Sequence, residues 1–441
     1  MSRALERGLE EALGGSELLA RLRVFGESFL EQRGGDPAAA RLEGGPLAGL
    51  ARVLATNPLG ARLLAQSPDF LERLADAADA SALARRGQAL RALAPDPAVG
   101  DLESFLDALR LFRREETLFA ACLDLGGAAP FPEVSVFLSR LAEASVECAL
   151  ARAQRAGGSS ASVLSVLGMG KIGGREFTYH SDLDLIFLFE GSADEVTAVS
   201  RVGQRLISYL TTMTAAGVAY AVDARLRPSG GQGMLVTSFG AFERYQCDQA
   251  ETWEHAALMR ARAIAGEIAA AGSLLERIRG VVLGRGANPW PYLAEMRRRV
   301  EEERGREARS LIAFKTGGGG LMDVDFLAAG AWLERGAGAR RPSLPSNPTL
   351  LRAVVEGEVV ERLLRAYQFL RLVEARLRWV AGRGVETLDP GGDALPIVAE
   401  LSSPGLAPET LLERVQENRG IIRQAFQSVV RARTIDALAA G

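Results

Sequence analysis

The pattern of apolar positions divides the chain into three textures. Up to about residue 155, apolar residues recur at helical spacing. Leu18, Leu19, Leu22 and Phe25 form one set, and Leu47, Leu50, Val53 and Leu54 a second. Leu63, Leu64, Phe70, Leu71 and Leu74 follow, with Ser67-Pro68-Asp69 supplying a helix-start signal. The same spacing runs through 101–119 and 134–154, broken by Gly126-Gly127 and Pro130. Gly157-Gly158-Ser159-Ser160 then reads as a boundary. Beyond it, short apolar runs predict strands over 162–167, 183–189 and 218–226. A helix over 196–214 carries Val199, Val202, Leu206, Ile207 and Leu210 on one face, and a further helical stretch covers 239–262. From about residue 290 the helical spacing returns over 291–313, 321–335, 348–382 and 408–438, with loops at 341–348 and 389–392. No fixed-period repeat interrupts this order. The pattern predicts an α+β protein with domains over 1–157, 158–287 and 288–441, the central one holding a small mixed sheet and the outer two helical.

Composition narrows the class. A length of 441 residues suits two or three domains, and 48% hydrophobic with 24% charged residues excludes a disordered or fibrous chain. A net charge of −3 argues against a partner bound by neutralising nucleic-acid phosphates. No apolar run approaches the roughly 18–20 residues of a membrane span, so no membrane partner is expected. The charged N-terminal stretch lacks the apolar centre of a signal peptide. Cys122, Cys148 and Cys247 are odd in number and widely spaced, as expected of buried thiols in a reducing cytosol. Together these features predict a cytoplasmic protein. The basic residues are nearly all arginine; Lys171 and Lys315 are the only lysines, and both histidines, His180 and His255, lie in the central third. Arginine richness alone can reflect genome bias. A retained lysine still suits a phosphate as a compact point charge.

The candidate chemistry lies in residues 163–190, VLSVLGMGKIGGREFTYHSDLDLIFLFE. A strand enters a glycine-rich turn, and Asp182 and Asp184 open the next strand two residues apart, hence on one face. Two such carboxylates repel unless a cation lies between them, and Mg²⁺ is the oxygen-seeking partner commonly shared with phosphates. Gly168, Gly170, Gly173 and Gly174 allow a close approach to an anion, with Lys171 and Ser181 completing a triphosphate cradle. In 220–230, Asp223, Arg225 and Arg227 are expected on one strand face. Asp223 can complete a site for two Mg²⁺ ions or act as the base for an attacking hydroxyl, while the arginines suit phosphate oxygens.

Other patterns fit less well. The Gly168-x-Gly170-x-x-Gly173 spacing matches the dinucleotide fingerprint, but Gly174, Thr178 and Tyr179 interrupt the required helix and both aspartates are left without a role. A P-loop fails because Ile172 stands where a hydroxyl must meet magnesium.

A glycine pair, about a dozen residues, Asp-x-Asp and a later aspartate resemble the polymerase-beta-type nucleotidyltransferases. Within them, GMGKIGGRE with SDLDLIF resembles the bacterial glutamine synthetase adenylyltransferase/deadenylylase family. So do 222–238 (VDARLRPSGGQGMLVTS), 252–266 (TWEHAALMRARAIAG), 315–326 (KTGGGGLMDVDF) and 112–116 (FRREE). The resemblance spans essentially the whole chain. It implies a polymerase-beta-type nucleotidyltransferase domain flanked by all-helical domains, with ATP as substrate and Mg²⁺ at Asp182, Asp184 and Asp223. It implies AMP transfer to a tyrosine of glutamine synthetase, in a chain with one catalytic half where the family usually has two. The attaching direction is favoured over phosphorolytic removal by the 222–230 and 252–255 segments. A non-catalytic regulatory module and a nucleic-acid nucleotidyltransferase are the competing functions; the retained acids argue against the first and the acidic pI against the second. Regulation by a PII-type signal protein or glutamine is expected, if anywhere, in the N-terminal helical region. His180 and Asp325 depart from the family pattern.

Neighbouring residues admit plainer roles. Trp253 is expected as a core anchor, and Glu254 and His255 as either cleft or structural groups. Lys315 with Gly317–Gly320 either reaches the phosphates or caps the helix bearing Asp323 and Asp325. The 297–307 charge run is expected to be a solvated helix face.

Overall fold

A computed structural model gives the fold, describing residues 2–77, 79, 81–157, 164–228, 230, 233–286, 288–305, 311–336, 342–355 and 357–440. The predicted boundary at Gly158-Ser159-Ser160, strand residues 162–163, Ser229, Gly231 and Gln232 of the 222–238 motif, 306–307 of the charge run and Arg341 lie outside the described residues. Nine α-helices precede the sheet among the described residues: α1 (Ser2–Leu13), α2 (Leu18–Phe25), α3 (Glu27–Arg33), α4 (Gly44–Thr56), α5 (Pro58–Gln66), α6 (Phe70–Ala75), α7 (Ala82–Leu93), α8 (Leu102–Leu125) and α9 (Phe131–Arg155). The centre runs β1 (Leu164–Gly168), α10 (Gly170–Gly173), β2 (Leu183–Phe189), α11 (Val196–Thr211), β3 (Val222–Asp223), β4 (Val236–Ser238), α12 (Phe239–Asp248), α13 (Thr252–Leu258), β5 (Arg262–Ala265) and α14 (Ile268–Gly284). The last part is helical: α15 (Trp290–Arg304), α16 (Leu321–Arg335), α17 (Asn347–Arg352), α18 (Glu358–Ala381), α19 (Ala394–Ser402) and α20 (Pro408–Ala440).

The sheet is small and mixed. β1 pairs antiparallel with β2 and with β5, while β3 and β4 both pair parallel with β2. Side chains alternate across a strand, and here the two faces feed different cores. Leu183, Leu185, Phe187 and Phe189 join the cluster built by α1–α9, whereas Ile186 and Leu188 join the cluster of the C-terminal helices. The sheet is therefore the seam between two hydrophobic cores. This is why β2 reads as a continuous apolar run: both faces are buried.

Several elements differ from the expected ones. The predicted strand over 218–226 shrinks to Val222–Asp223, because Arg225 and Leu226 enter a turn before Pro228. The helical stretch 239–262 is two helices followed by β5, and β4, β5 and α14 carry no strong period of their own. The helix expected over 348–382 is split, with Gly357 at φ +96° between α17 and α18, a conformation open to glycine. Trp253 is half-buried, so the buried tryptophans that anchor the core are Trp290, Trp332 and Trp379 instead. Arg297 departs from the solvated charge run: it is fully buried against Asp323, Nε to Oδ1 at 2.5 Å.

Candidate active site

Parallel pairing of β2 with β3 sets Asp184 directly beside Asp223 in register. Asp182 sits just before β2, exposed, at the end of a tight turn. That turn is held by Ser181, whose backbone N–H donates to the Thr178 carbonyl at 3.2 Å and whose hydroxyl accepts the Thr178 N–H at 3.2 Å. His180 takes φ +51° within it, uncommon for a non-glycine residue. The glycine turn crosses the same place. The Met169 N–H donates to the Asp184 carbonyl at 2.9 Å, and Gly170, at φ +49°, lies so near that a Cβ would stand 3.0 Å from Asp184 Oδ2. Only a glycine lets the backbone pass over that carboxylate without strain.

The electrostatics follow from this crowding. Burial first, then the charges of Asp182 and Asp223, push the Asp184 carboxyl up to about 7, against the opposing pull of Lys315 and Lys171. Asp223 moves the other way. Arg225 donates to it from the backbone at 2.8 Å and from Nε at 3.0 Å, and the guanidinium holds the carboxyl below its ordinary range. With Asp223 turned onto Arg225, no three acidic, histidine or cysteine side chains among the described residues close into a cation cage. The donor set nevertheless fits Mg²⁺: the ligands are carboxylate oxygens, and Asp184 carries repulsion that a divalent cation relieves. The chain's two lysines, in separate segments of sequence, both act on this one carboxylate.

Both lysines are tied to acids of the C-terminal part. Lys171 Nζ bonds Glu374 on α18, and Lys315 Nζ bonds Glu386. Burial lowers the Lys171 pKa to about 7, with Glu374 pulling it up and Arg371 and Arg378 pushing it down. Helix α18 also reaches the acid-bearing turn: Arg378 Nη1 donates to the His180 carbonyl at 3.3 Å and lies 3.5 Å from the Ser181 hydroxyl. A second knot joins the same parts. Glu176, after the glycines, accepts from Arg260 at 2.5 Å, the Asn347 N–H at 3.0 Å and the Tyr367 hydroxyl at 2.9 Å.

The comparisons with known proteins bear on this arrangement. The model of the family described as Glutamate-ammonia ligase adenylyltransferase matches residues 47–277, more than half of the chain and the whole stretch bearing the three aspartates. The chain belongs to this family. A second model, GlnD PII-uridylyltransferase, matches residues 294–430. Among curated relatives, the chain is 35% identical over 366 residues to a protein of Nitrosococcus oceani, covering 75% of this chain and 37% of that one. It is 32% identical over 409 residues to one of Thioalkalivibrio sulfidiphilus, covering 87% and 42% respectively. Both relatives are named bifunctional glutamine synthetase adenylyltransferase/adenylyl-removing enzyme. The chain thus spans less than half the length of these relatives.

The structure brings Asp182, Asp184, Asp223, Gly170, Lys171 and Lys315 of this family member into one region. The other candidates are placed as follows. Gly168 ends β1, where a Cβ would press on Ile264 and Ile172 at 3.0 and 3.1 Å. At Gly173 a Cβ would collide with the Arg260 carbonyl oxygen, and at Gly174 it would stand 3.0 Å from Glu176 Oε2. Protein, not open cleft, fills the space at these two glycines. Arg225 and Arg227 leave the strand face expected for them. Arg225 turns back onto Asp223, and Arg227 donates to the carbonyls of Ala224 at 2.6 Å and Gly233 at 3.1 Å, closing the loop. His255 is buried with Nε2 2.9 Å from the Gln246 carbonyl, and Glu254 accepts from Tyr245 and the Glu251 N–H, both at 2.9 Å, the structural alternative for both. Asp323 is fully buried, accepting from the Gly319 N–H at 2.9 Å and from Arg297.

Sequence reasoning missed Glu374, Arg371 and Arg378, which stand about 200 residues from their partners. Their i, i+3, i+7 spacing put three charges on one face of a helix, and that was the available signal. It also missed how α8 serves the site. Arg110, fully buried, donates to the carbonyls of Gly217 at 2.8 Å and Tyr209 at 3.1 Å, and Arg114 to that of Ala216 at 3.0 Å. The arginines of that helix thereby hold the loop leading to Asp223.

Proposed function

We propose that this chain transfers AMP from ATP to a tyrosine hydroxyl of glutamine synthetase, the substrate in its relatives' names. The observation that carries the reading is the placement of Asp184 between Asp182 and Asp223, under the glycine turn, within the family-matching segment. In this reading Asp182 and Asp184 hold Mg²⁺, with Asp223 completing a two-ion site once Arg225 releases it. The bound ions supply charge neutralisation to the triphosphate. The chain's own groups do the rest. The backbone at Gly168 and Gly170, with Lys171, Ser181 and Lys315, orients the phosphates, Ser181 by fixing the turn; Gly173 and Gly174, packed against protein, shape the turn instead. Arg225, freed from Asp223, and Arg227 meet phosphate oxygens. The tyrosine oxygen attacks the α-phosphorus in line, an O–P bond forms, and the bond to the β-phosphate bridging oxygen breaks to release pyrophosphate. Asp223 takes the phenolic proton. The uridylyltransferase match over 294–430 supports a PII-type signal protein as regulatory partner.

Label transfer tests the reading. Glutamine synthetase incubated with the chain, Mg²⁺ and ATP labelled at the α-phosphorus takes up label, and ATP labelled at the γ-phosphorus gives none. Label from the γ-position, or from neither, contradicts the proposal. Release of AMP from a pre-adenylylated target, only with inorganic phosphate, reverses the direction while keeping the site.

A further inference from the structure

Helix α18 presents one carboxylate to three cations. Glu374 is fully buried; Lys171 bonds its Oε1, Arg371 its Oε2, and Arg378 Nη2 approaches Oε1 at 3.1 Å. The two arginines are also anchored to the loop that carries the site: Arg371 donates to the Glu176 carbonyl, and Arg378 to that of His180 at 3.3 Å. One helical face therefore grips both ends of the segment between Lys171 and Asp182, and Glu374 is the point where the grips converge. Both arginines and Glu374 are buried, while the Lys171 side chain stays 21% exposed, so Lys171 is the member of the cluster that can meet an added anion. A lone ammonium on a four-carbon stem has many rotamers, and one buried acceptor selects a single position for it.

We infer that Glu374 is a positioning residue for nucleotide binding, holding the Lys171 ammonium in place from the C-terminal helical part. The inference rests on the nucleotide reading of the glycine turn given above. It makes the C-terminal helices part of the site, since the acceptor that places Lys171 stands on α18.

The test is a double-mutant cycle on the full chain, read by calorimetric binding of α,β-methylene-ATP with Mg²⁺ and by the ATP dependence of transfer. Glu374→Gln weakens analogue binding about tenfold, the size expected for one charge-assisted bond, and raises the ATP KM while kcat stays within about threefold. In a Lys171→Met background the same change adds less than about twofold, because Glu374 acts through Lys171. If Glu374→Gln fails to fold, Glu374→Asp keeps the charge and shortens the reach, and it weakens binding about threefold in the wild-type background only. An equal loss in both backgrounds marks a merely structural role and overturns the inference, as does unchanged affinity. A wild-type chain that binds no analogue removes the nucleotide reading itself, and this inference with it.

Discussion

At Asp184 two costs meet, the burial of a carboxylate and the repulsion of Asp182 and Asp223. Its folded-state pKa of about 7 lies above the ordinary aspartate value, so the folded chain holds that proton more tightly than the unfolded one. The resulting stabilisation is complete below about pH 4 and is lost as pH rises through about 7. Urea unfolding of metal-free protein is therefore expected to show Asp184→Asn gaining stability over wild type between about pH 5 and 8. A difference independent of pH contradicts the electrostatic account. In the proposed reaction the same residue holds the cation, so Asp184→Asn is expected to lower AMP transfer by about 100-fold or more. Gly170→Ala is expected to reduce transfer as well, since its Cβ would meet the Asp184 carboxylate at 3.0 Å in a strained backbone; full activity would show that the turn tolerates the displacement. At this scale the sequence was legible where spacing alone brings two carboxylates together, as in Asp182 and Asp184. It was not legible where a partner comes from far along the chain, as with Glu374, or where a short-range bond redirects a side chain, as with Arg225 on Asp223.

Among the elements, β2 carries the fold and the site together. Its apolar side chains enter two cores, and its second residue, Asp184, pairs in register with Asp223 of β3. Phe187→Ala, fully buried on the N-terminal side, is expected to cost about 3–5 kcal/mol in chemical denaturation. A loss under 1 kcal/mol would mean that the seam repacks freely. The 183–189 strand and the 321–335 helix were read to the residue, because each has a clear apolar run with a sharp polar end. β4 and β5 were not, since three or four residues carry too little pattern to separate strand from helix. α14 escaped notice for a related reason: its opening residues are small, and Ala and Gly mark a face weakly.

For the whole molecule, the helical parts at the two ends of the sequence meet through the centre. Asp124 on α8 receives Arg376 of α18 at 2.7 Å and the Tyr179 hydroxyl at 2.7 Å, all buried. Asp124→Asn leaves a buried guanidinium without its charge partner and is expected to cost about 3–5 kcal/mol. The unfolding transition should then broaden or divide, as the two cores uncouple; a single sharp transition at the wild-type midpoint would contradict this coupling. The three-part order of textures was readable from hydrophobic spacing. That the central sheet shares its core with both neighbours was not, because a strand buried on both faces looks the same whichever element covers it.

The central claim is that the three aspartates carry AMP transfer, and intact-mass spectrometry of the acceptor tests it most directly. Glutamine synthetase from the same host would be incubated with wild-type chain, Mg²⁺ and ATP, and in parallel with Asp184→Asn. The account predicts one added AMP, located on a tyrosine by fragmentation, with the wild-type chain only. An unmodified acceptor with both proteins, or equal modification by the Asp184→Asn chain, would contradict it.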